Sequence, residues 1–315
     1  MLSRNLQRHT ELHHTLGFKF RTQHALLRLF VAHAEELGDE FVSSGRVIDW
    51  ATLAPSAAQR RNRLLTVRRF ALALRAEDGR HEVPPADAFG NAGPRRRKPY
   101  IYAPEEITRL LAVAARLGPP ASLKSSTYET LFGLLAATGM RVSEALALRV
   151  GDVTADGLLI RTTKFQKSRL LPMHDTVRNA LDRHMQHRAR TAPAGTSLFT
   201  SKRDRPLPYD TVADAFQRLA RSLGLRGGAG QPNARIHDLR HTFAVRSLEG
   251  CAPERHAITR HLVALSTYLG HARVAYTYCR AVQRYCHGVT GFVLPHMRDE
   301  VRHLIARGIP EPANV

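Results

Sequence analysis

The decapeptide Arg235-Ile236-His237-Asp238-Leu239-Arg240-His241-Thr242-Phe243-Ala244 sets the reading of this chain. Residues three apart share a helix face, so a helix here turns His237 and Arg240 the same way while Leu239 and Phe243 point into a core. An imidazole beside a guanidinium on an exposed face holds its proton less tightly and suits proton transfer. An isolated pair of this kind more often only hydrogen-bonds a neighbour, so its meaning depends on what other segments bring to the same place.

Three other segments offer such groups. In Thr138-Gly139-Met140-Arg141-Val142-Ser143-Glu144 the Thr-Gly pair ends one helix and Arg141 enters the next, where a guanidinium and nearby backbone N–H groups can face a phosphate. After Asp152 the apolar period changes from 3.6 to 2. Leu158, Ile160 and Thr162 alternate with Leu159, Arg161 and Thr163, Lys164-Phe165-Gln166-Lys167-Ser168 turns, and Arg169 to Met173 returns as a second strand. Lys164 at the strand end and Lys167 beyond the turn can reach a groove and give up a proton, although hairpin lysines are also ordinary solubilising residues. Finally, Leu269-Gly270-His271 ends a helix at a glycine and offers another imidazole.

Around these segments the pattern is helical. Pro104-Glu105-Glu106 opens one helix with acids in its first turn, and Thr127 to Ala137 makes a buried one. Further helices run over 175–190, 210–223 and 237–248. From Leu6 to about Arg80 the apolar spacing gives an all-α domain of three to five helices, with Ser56 placed to cap the long one. Arg60, Arg61, Arg63, Arg68 and Arg69 crowd that helix with few acids nearby, which suggests a phosphate-contacting face over a merely solvated one. Residues 81–99 lose periodicity around Pro84-Pro85 and Gly93-Pro94 and carry Arg95-Arg96-Arg97-Lys98, reading as a basic linker placed to lie along a nucleic-acid backbone. The expected domains are 1–80, the linker 81–99, a second domain 100–295 and a tail 296–315. In that tail Met297, Val301, Leu304 and Ile305 form an amphipathic stretch, suited to a neighbouring protomer or to its own core.

Composition agrees with a polyanion as partner. Across 315 residues, Lys and Arg total 47 against 27 acids, a net +20 and a pI near 11.0. The six lysines leave 41 arginines, each able to fork two hydrogen bonds onto phosphate. This balance excludes an acidic disordered protein. The longest apolar stretch, Leu131 to Ala137, is too short to span a membrane, and the first residues lack the apolar core of a secretion signal. The expectation is a soluble cytoplasmic protein. Cys251, Cys279 and Cys286 form no C-x-x-C pair and the 17 histidines are scattered, so no disulfide framework and no metal site is expected.

Taken in order, T-G-M-R-V-S-E, T-K-F-Q-K-S-R-L-L-P, R-I-H-D-L-R-H-T-F-A and L-S-T-Y-L-G-H resemble the catalytic boxes of the tyrosine recombinase/integrase family. The resemblance spans roughly residues 100 to 290. It implies a mainly α fold with a small antiparallel β-hairpin or sheet, in which a helical core-binding domain precedes an α+β catalytic domain. It also implies site-specific DNA breakage and rejoining through a 3′-phosphotyrosyl intermediate, on a mobile element of phage, transposon or integron type. Carried over, Arg141 and Arg240 clamp the phosphate, Lys164 is the general acid, His237 the base and His271 a donor to phosphate. The implied partner is double-stranded DNA, bound by a homo-oligomer that forms a synaptic tetramer. The chemistry calls for no metal and no nucleotide cofactor.

One position departs from the family. Relatives with this box continue to Thr-Tyr-Trp-Tyr, the second tyrosine being the nucleophile, whereas this chain reads Tyr276-Thr277-Tyr278-Cys279-Arg280. Arginine cannot form a phosphotyrosyl bond. The sequence leaves Tyr276, Tyr278 and Tyr285 open as substitutes, and with them a DNA-binding relative impaired in cleavage.

Overall fold

The computed structural model describes residues 1–90, 99–119, 122–161, 168–191, 196–201, 205–227, 233–251 and 255–270. The chain divides into two compact units, Met1–Arg97 and Lys98–Val315.

Among its described residues the first unit holds four helices, α1 (Leu2–Thr15), α2 (Arg21–Glu36), α3 (Ser44–Thr52) and α4 (Ala57–Arg75). Each buries one apolar stripe: Leu6 from α1, Leu27, Phe30 and Val31 from α2, Val47 and Trp50 from α3, and Leu64, Val67 and Phe70 from α4. Serines cap two of them. Ser43 Oγ accepts from Arg46 N and Ser56 Oγ from Gln59 N, both at 3.3 Å, which satisfies N–H groups left over in a first helical turn.

Four of the five arginines that crowd α4 are engaged with carbonyls of their own unit. Arg60 donates to Ala54 O at 3.0 Å, Arg61 to Gly90 O at 2.8 Å and Arg68 to Pro84 O at 2.5 Å. Arg63 donates to Trp50 O at 3.0 Å and lays its guanidinium over the Trp50 ring, 4.6 Å from the centroid. Arg60, Arg61 and Arg68 fasten neighbouring loops to the helix and Arg63 fastens the last turn of α3, because a carbonyl that lacks a ladder partner still requires a donor. Residues 81–90, part of the basic linker by composition, pack back on this unit. His81 Nδ1 accepts from Val42 N at 3.0 Å, Glu82 N donates to Val42 O at 2.7 Å, and Val83 and Phe89 join the core.

The described residues of the second unit form a helical body with one small sheet. Its helices are α5 (Pro104–Ala114), α6 (Leu123–Thr138), α7 (Val142–Leu146), α8 (Asp175–Thr191), α9 (Tyr209–Ser222), α10 (Asp238–Glu249) and α11 (Arg255–Leu269). The sheet is β1 (Val153–Thr154), β2 (Gly157–Ile160) and β3 (Arg169–Leu171), antiparallel throughout, with Leu158 opposite Leu171 and Ile160 opposite Arg169. The alternating hairpin reads directly from sequence. β1 does not, since two residues carry no periodicity. Helix α6 packs against α5, α8 and α10 and buries Tyr128, Leu131, Phe132, Leu134 and Leu135. Burying each such side chain is worth about 1.5–3 kcal/mol, and it anchors the end of α6 from which the site is built.

A buried imidazole ties α8 to this core. His184 is 1% exposed, its Nε2 donating to Leu198 O at 3.2 Å and its Nδ1 accepting from the Ser126 hydroxyl at 2.9 Å. Burial lowers its pKa to about 4.

Candidate active site

The site grows from two helix ends. Helix α6 stops at Gly139, with φ of 60°. A Cβ there would lie 2.5 Å from the Phe243 ring, so this position combines a left-handed backbone with a close approach that only glycine allows. The chain re-enters helix at once, with Arg141 preceding α7. Glu144 turns back to accept from Arg141 N at 2.9 Å, a carboxylate closing the first turn.

Helix α11 ends at Leu269, followed by Gly270 with φ of 63°. Its last carbonyls are claimed in turn by three arginines from three different elements. Arg169, at the start of β3, donates to Tyr268 O at 3.0 Å. Arg240 of α10 donates to Leu269 O at 2.6 Å and, with its other terminal nitrogen, to Gly139 O at 2.7 Å. Arg141 donates to Gly270 O at 2.9 Å. A helix C-terminus presents unpaired carbonyls and the negative end of its dipole, so it is a place where guanidinium groups can gather.

The remaining repulsion is offset by Glu144. Its carboxylate, 8% exposed, accepts from Arg141 Nη1 at 2.6 Å and from Arg169 Nη1 at 3.2 Å and Nη2 at 2.8 Å. Burial alone raises such a carboxyl, but the hydrogen bonds from the Arg169 side chain and from the Arg141 backbone, the charge of Arg169 and the hydrogen bond from the Arg141 side chain hold it below the usual range. Arg141 keeps a side chain 30% exposed, whereas Arg240 is 3% exposed and enclosed by protein.

His237 immediately precedes α10 and is half-buried, its ring 5.0 Å from and perpendicular to that of buried His241. Asp238 is fully buried and paired with Arg235 at 3.0 Å, which fixes the start of α10. Leu239 is buried as its helical position requires, and Phe243 stacks on Tyr268 with centroids 5.5 Å apart. The stack joins α10 to α11, so His237, Arg240 and the end of α11 are carried on one packed pair.

The structure thus brings Arg141 and Arg240 together over the end of α11. Lys164, His271, Arg95, Arg96, Arg97 and Lys98 lie outside the described residues, as do Tyr276, Tyr278, Arg280, Tyr285 and the amphipathic tail. Sequence reasoning gave no role to Arg169 and treated Glu144 only as a residue near a helix start. The glutamate three residues beyond Arg141, in the capping-box position, was the available signal. Nothing in the sequence placed Arg169 beside it. Among the described residues no group of three His, Cys, Asp or Glu side chains is placed to hold a metal ion, and no helix is long and apolar enough to cross a membrane.

Residues 102–287 match the phage integrase family. The chain is 38% identical to the integrase/recombinase y4rB of Sinorhizobium fredii, over 86% of this chain and 90% of that protein. It is 30% identical to the tyrosine recombinase XerD of Caulobacter vibrioides, over 94% of this chain and 89% of that protein. In fold it is similar to a lambda integrase dimer bound to a COC' core site, with TM-score 0.63, 19% identity and coverage of 90% of this chain and 77% of the other. It is likewise similar to the Tn1549 transposon integrase in complex with transposon right end DNA, with TM-score 0.63, 18% identity and coverage of 96% and 99%.

Proposed function

The chain belongs to the phage integrase family, whose members here include tyrosine recombinases, and from that premise we propose that it recombines DNA at specific sites on a mobile element. The observation that carries this reading is the convergence of Arg141 and Arg240, from separate elements, on the end of α11. Two permanently charged forks at one point suit a scissile phosphate, whose oxygens gain negative charge as phosphorus becomes five-coordinate. In the step proposed, a tyrosine oxygen bonds to phosphorus and the bond to the 5′ oxygen breaks. His237 accepts the tyrosine's proton and Lys164 supplies one to the departing oxygen. His271 donates to a phosphate oxygen, and attack by the 5′ hydroxyl of a second strand reverses the step.

Arg95, Arg96, Arg97 and Lys98 are assigned to the DNA backbone, residues 1–80 to the core-binding role and 100–295 to catalysis. The lambda integrase dimer and the Tn1549 integrase carry DNA in their solved complexes, which supports duplex DNA as the partner. A lambda integrase tetramer bound to a Holliday junction, also similar in fold, supports a synaptic tetramer. The setting assigned is cytoplasmic.

A second reading is favoured by Arg280, which stands where relatives carry the nucleophile. In it the chain binds the same DNA without cutting. A nicked suicide duplex carrying the element's own end sequence separates the two. The first reading expects a covalent protein–DNA adduct that survives denaturation and disappears in one of Tyr276→Phe, Tyr278→Phe or Tyr285→Phe. Absence of adduct with salt-sensitive binding intact, and its appearance in Arg280→Tyr, establishes the second.

A further inference from the structure

We propose that Arg169 is a positioning residue for the phosphate clamp: it sets Arg141 through their shared carboxylate and fastens the hairpin to the end of α11. The proposal rests on the clamp reading of Arg141 and Arg240. Three observations support it.

First, Glu144 is divided between two arginines. Each carboxylate oxygen accepts from both residues: Oε1 from Arg141 Nη1 and Arg169 Nη1, Oε2 from Arg141 N and Arg169 Nη2. A carboxylate gripped on both sides is fixed in rotation. It therefore fixes the guanidinium of Arg141, which has no other side-chain partner among the described contacts.

Second, Arg169 adds a separate bond from Nε to Tyr268 O, next to the Leu269 and Gly270 carbonyls held by Arg240 and Arg141. Its planar fork meets a carboxylate on one edge and a carbonyl on another, which a lysine ammonium cannot reproduce in one geometry.

Third, the contact is tight. A Cβ on Gly270 would lie 2.8 Å from Arg169 Nη1 and 3.6 Å from Arg141 Nη1, so both guanidinium groups lie against the bare backbone of this residue. The side chain of Arg169 is 15% exposed, in keeping with a group spent on its own protein. Arg169 is also the first residue of β3, a few positions after Lys164 in the sequence, and Gly270 precedes His271. One residue thus ties together the segments that lead into Lys164, Arg141 and His271.

Calorimetric titration of the full chain with inorganic phosphate tests this without requiring a nucleophile. The readout is the part of phosphate binding that Arg141→Ala abolishes, which separates the clamp from the other cations of the chain. Far-UV circular dichroism and thermal melting accompany each variant, and titrations are made well below every melting midpoint. In Arg169→Ala this clamp component is expected to weaken about tenfold with the fold retained. Arg169→Lys, which keeps the charge, is expected to recover stability but not phosphate affinity. If Arg169→Ala does not fold, Arg169→Lys alone decides.

Wild-type phosphate affinity in Arg169→Ala overturns the proposal. So does full rescue by Arg169→Lys, since a point charge would then suffice. If Arg240→Ala and Arg141→Ala leave phosphate binding unchanged, the clamp reading itself fails and this proposal with it. That result is distinct from a clamp that is present and indifferent to Arg169.

Discussion

Two groups of arginines in this molecule do the same local thing and serve different ends. On α4, Arg60, Arg61, Arg63 and Arg68 each donate to a carbonyl of a different segment, and each acts alone. In the second unit Arg141, Arg169 and Arg240 donate to three consecutive carbonyls and two of them share Glu144. Dispersed staples need no compensation beyond their own hydrogen bonds. A convergent set must be paired with a helix end and a buried carboxylate, and once that is done it leaves positive charge concentrated at one point. The density of arginine in a sequence therefore says less than the direction in which its side chains are led.

Substitutions can break this contrast from the convergent side first. Arg240→Ala removes a nearly fully buried cation and leaves the Gly139 and Leu269 carbonyls without these donors. It is expected to cost about 3–5 kcal/mol in denaturant unfolding and to abolish any covalent adduct. A loss below about 1 kcal/mol would show that the buried guanidinium is not holding the two helix ends together.

Acid tests the packing beneath the convergent set next. His184 has its pKa lowered to about 4 by burial, so the folded state favours the neutral ring and the unfolded state takes up the proton first. Stability from this residue is complete above about pH 6.5 and is lost as pH falls toward 4, an effect of roughly 3 kcal/mol. His184→Gln should flatten the pH dependence of unfolding of the second unit over that window. The opposite slope would exclude a buried neutral ring. Glu144 adds to the loss at lower pH, because its folded carboxyl lies below the usual range and its contribution vanishes as pH falls through that lowered value.

The smallest effect is expected on α4. Arg68→Ala removes one staple to Pro84 O and should cost about 1 kcal/mol in thermal unfolding. It should leave the salt dependence of DNA binding unchanged, whereas a phosphate-contacting arginine would lower that slope by about one. A lowered slope would return this helix to the DNA-facing role that its composition suggested.

Much of the second unit is legible in sequence because local rules decide it. Thr138-Gly139 stops a helix by the backbone freedom of glycine, the alternation over Leu158 to Ile160 gives a strand, and Leu239 and Phe243 fall on the apolar side of α10. The four ordered boxes made the family readable before any coordinates. The roles within the boxes were less accessible. Helical spacing put His237 and Arg240 on one face, but in the fold His237 precedes α10 beside His241 while Arg240 is enclosed between Gly139 and Leu269.

The sequence by itself determined the helical and hairpin elements, the glycine-terminated helix ends and the kinship of the boxes, all of which depend on residues within a turn or two of each other or on a linear pattern. Only the tertiary structure decided which cations converge. Arg169 and Glu144 lie 25 residues apart, and Arg240 and Gly139 lie 101 apart. Hydrogen-bond partners at such separations are chosen by the packing of α6, α10 and α11, which no periodicity in the chain encodes.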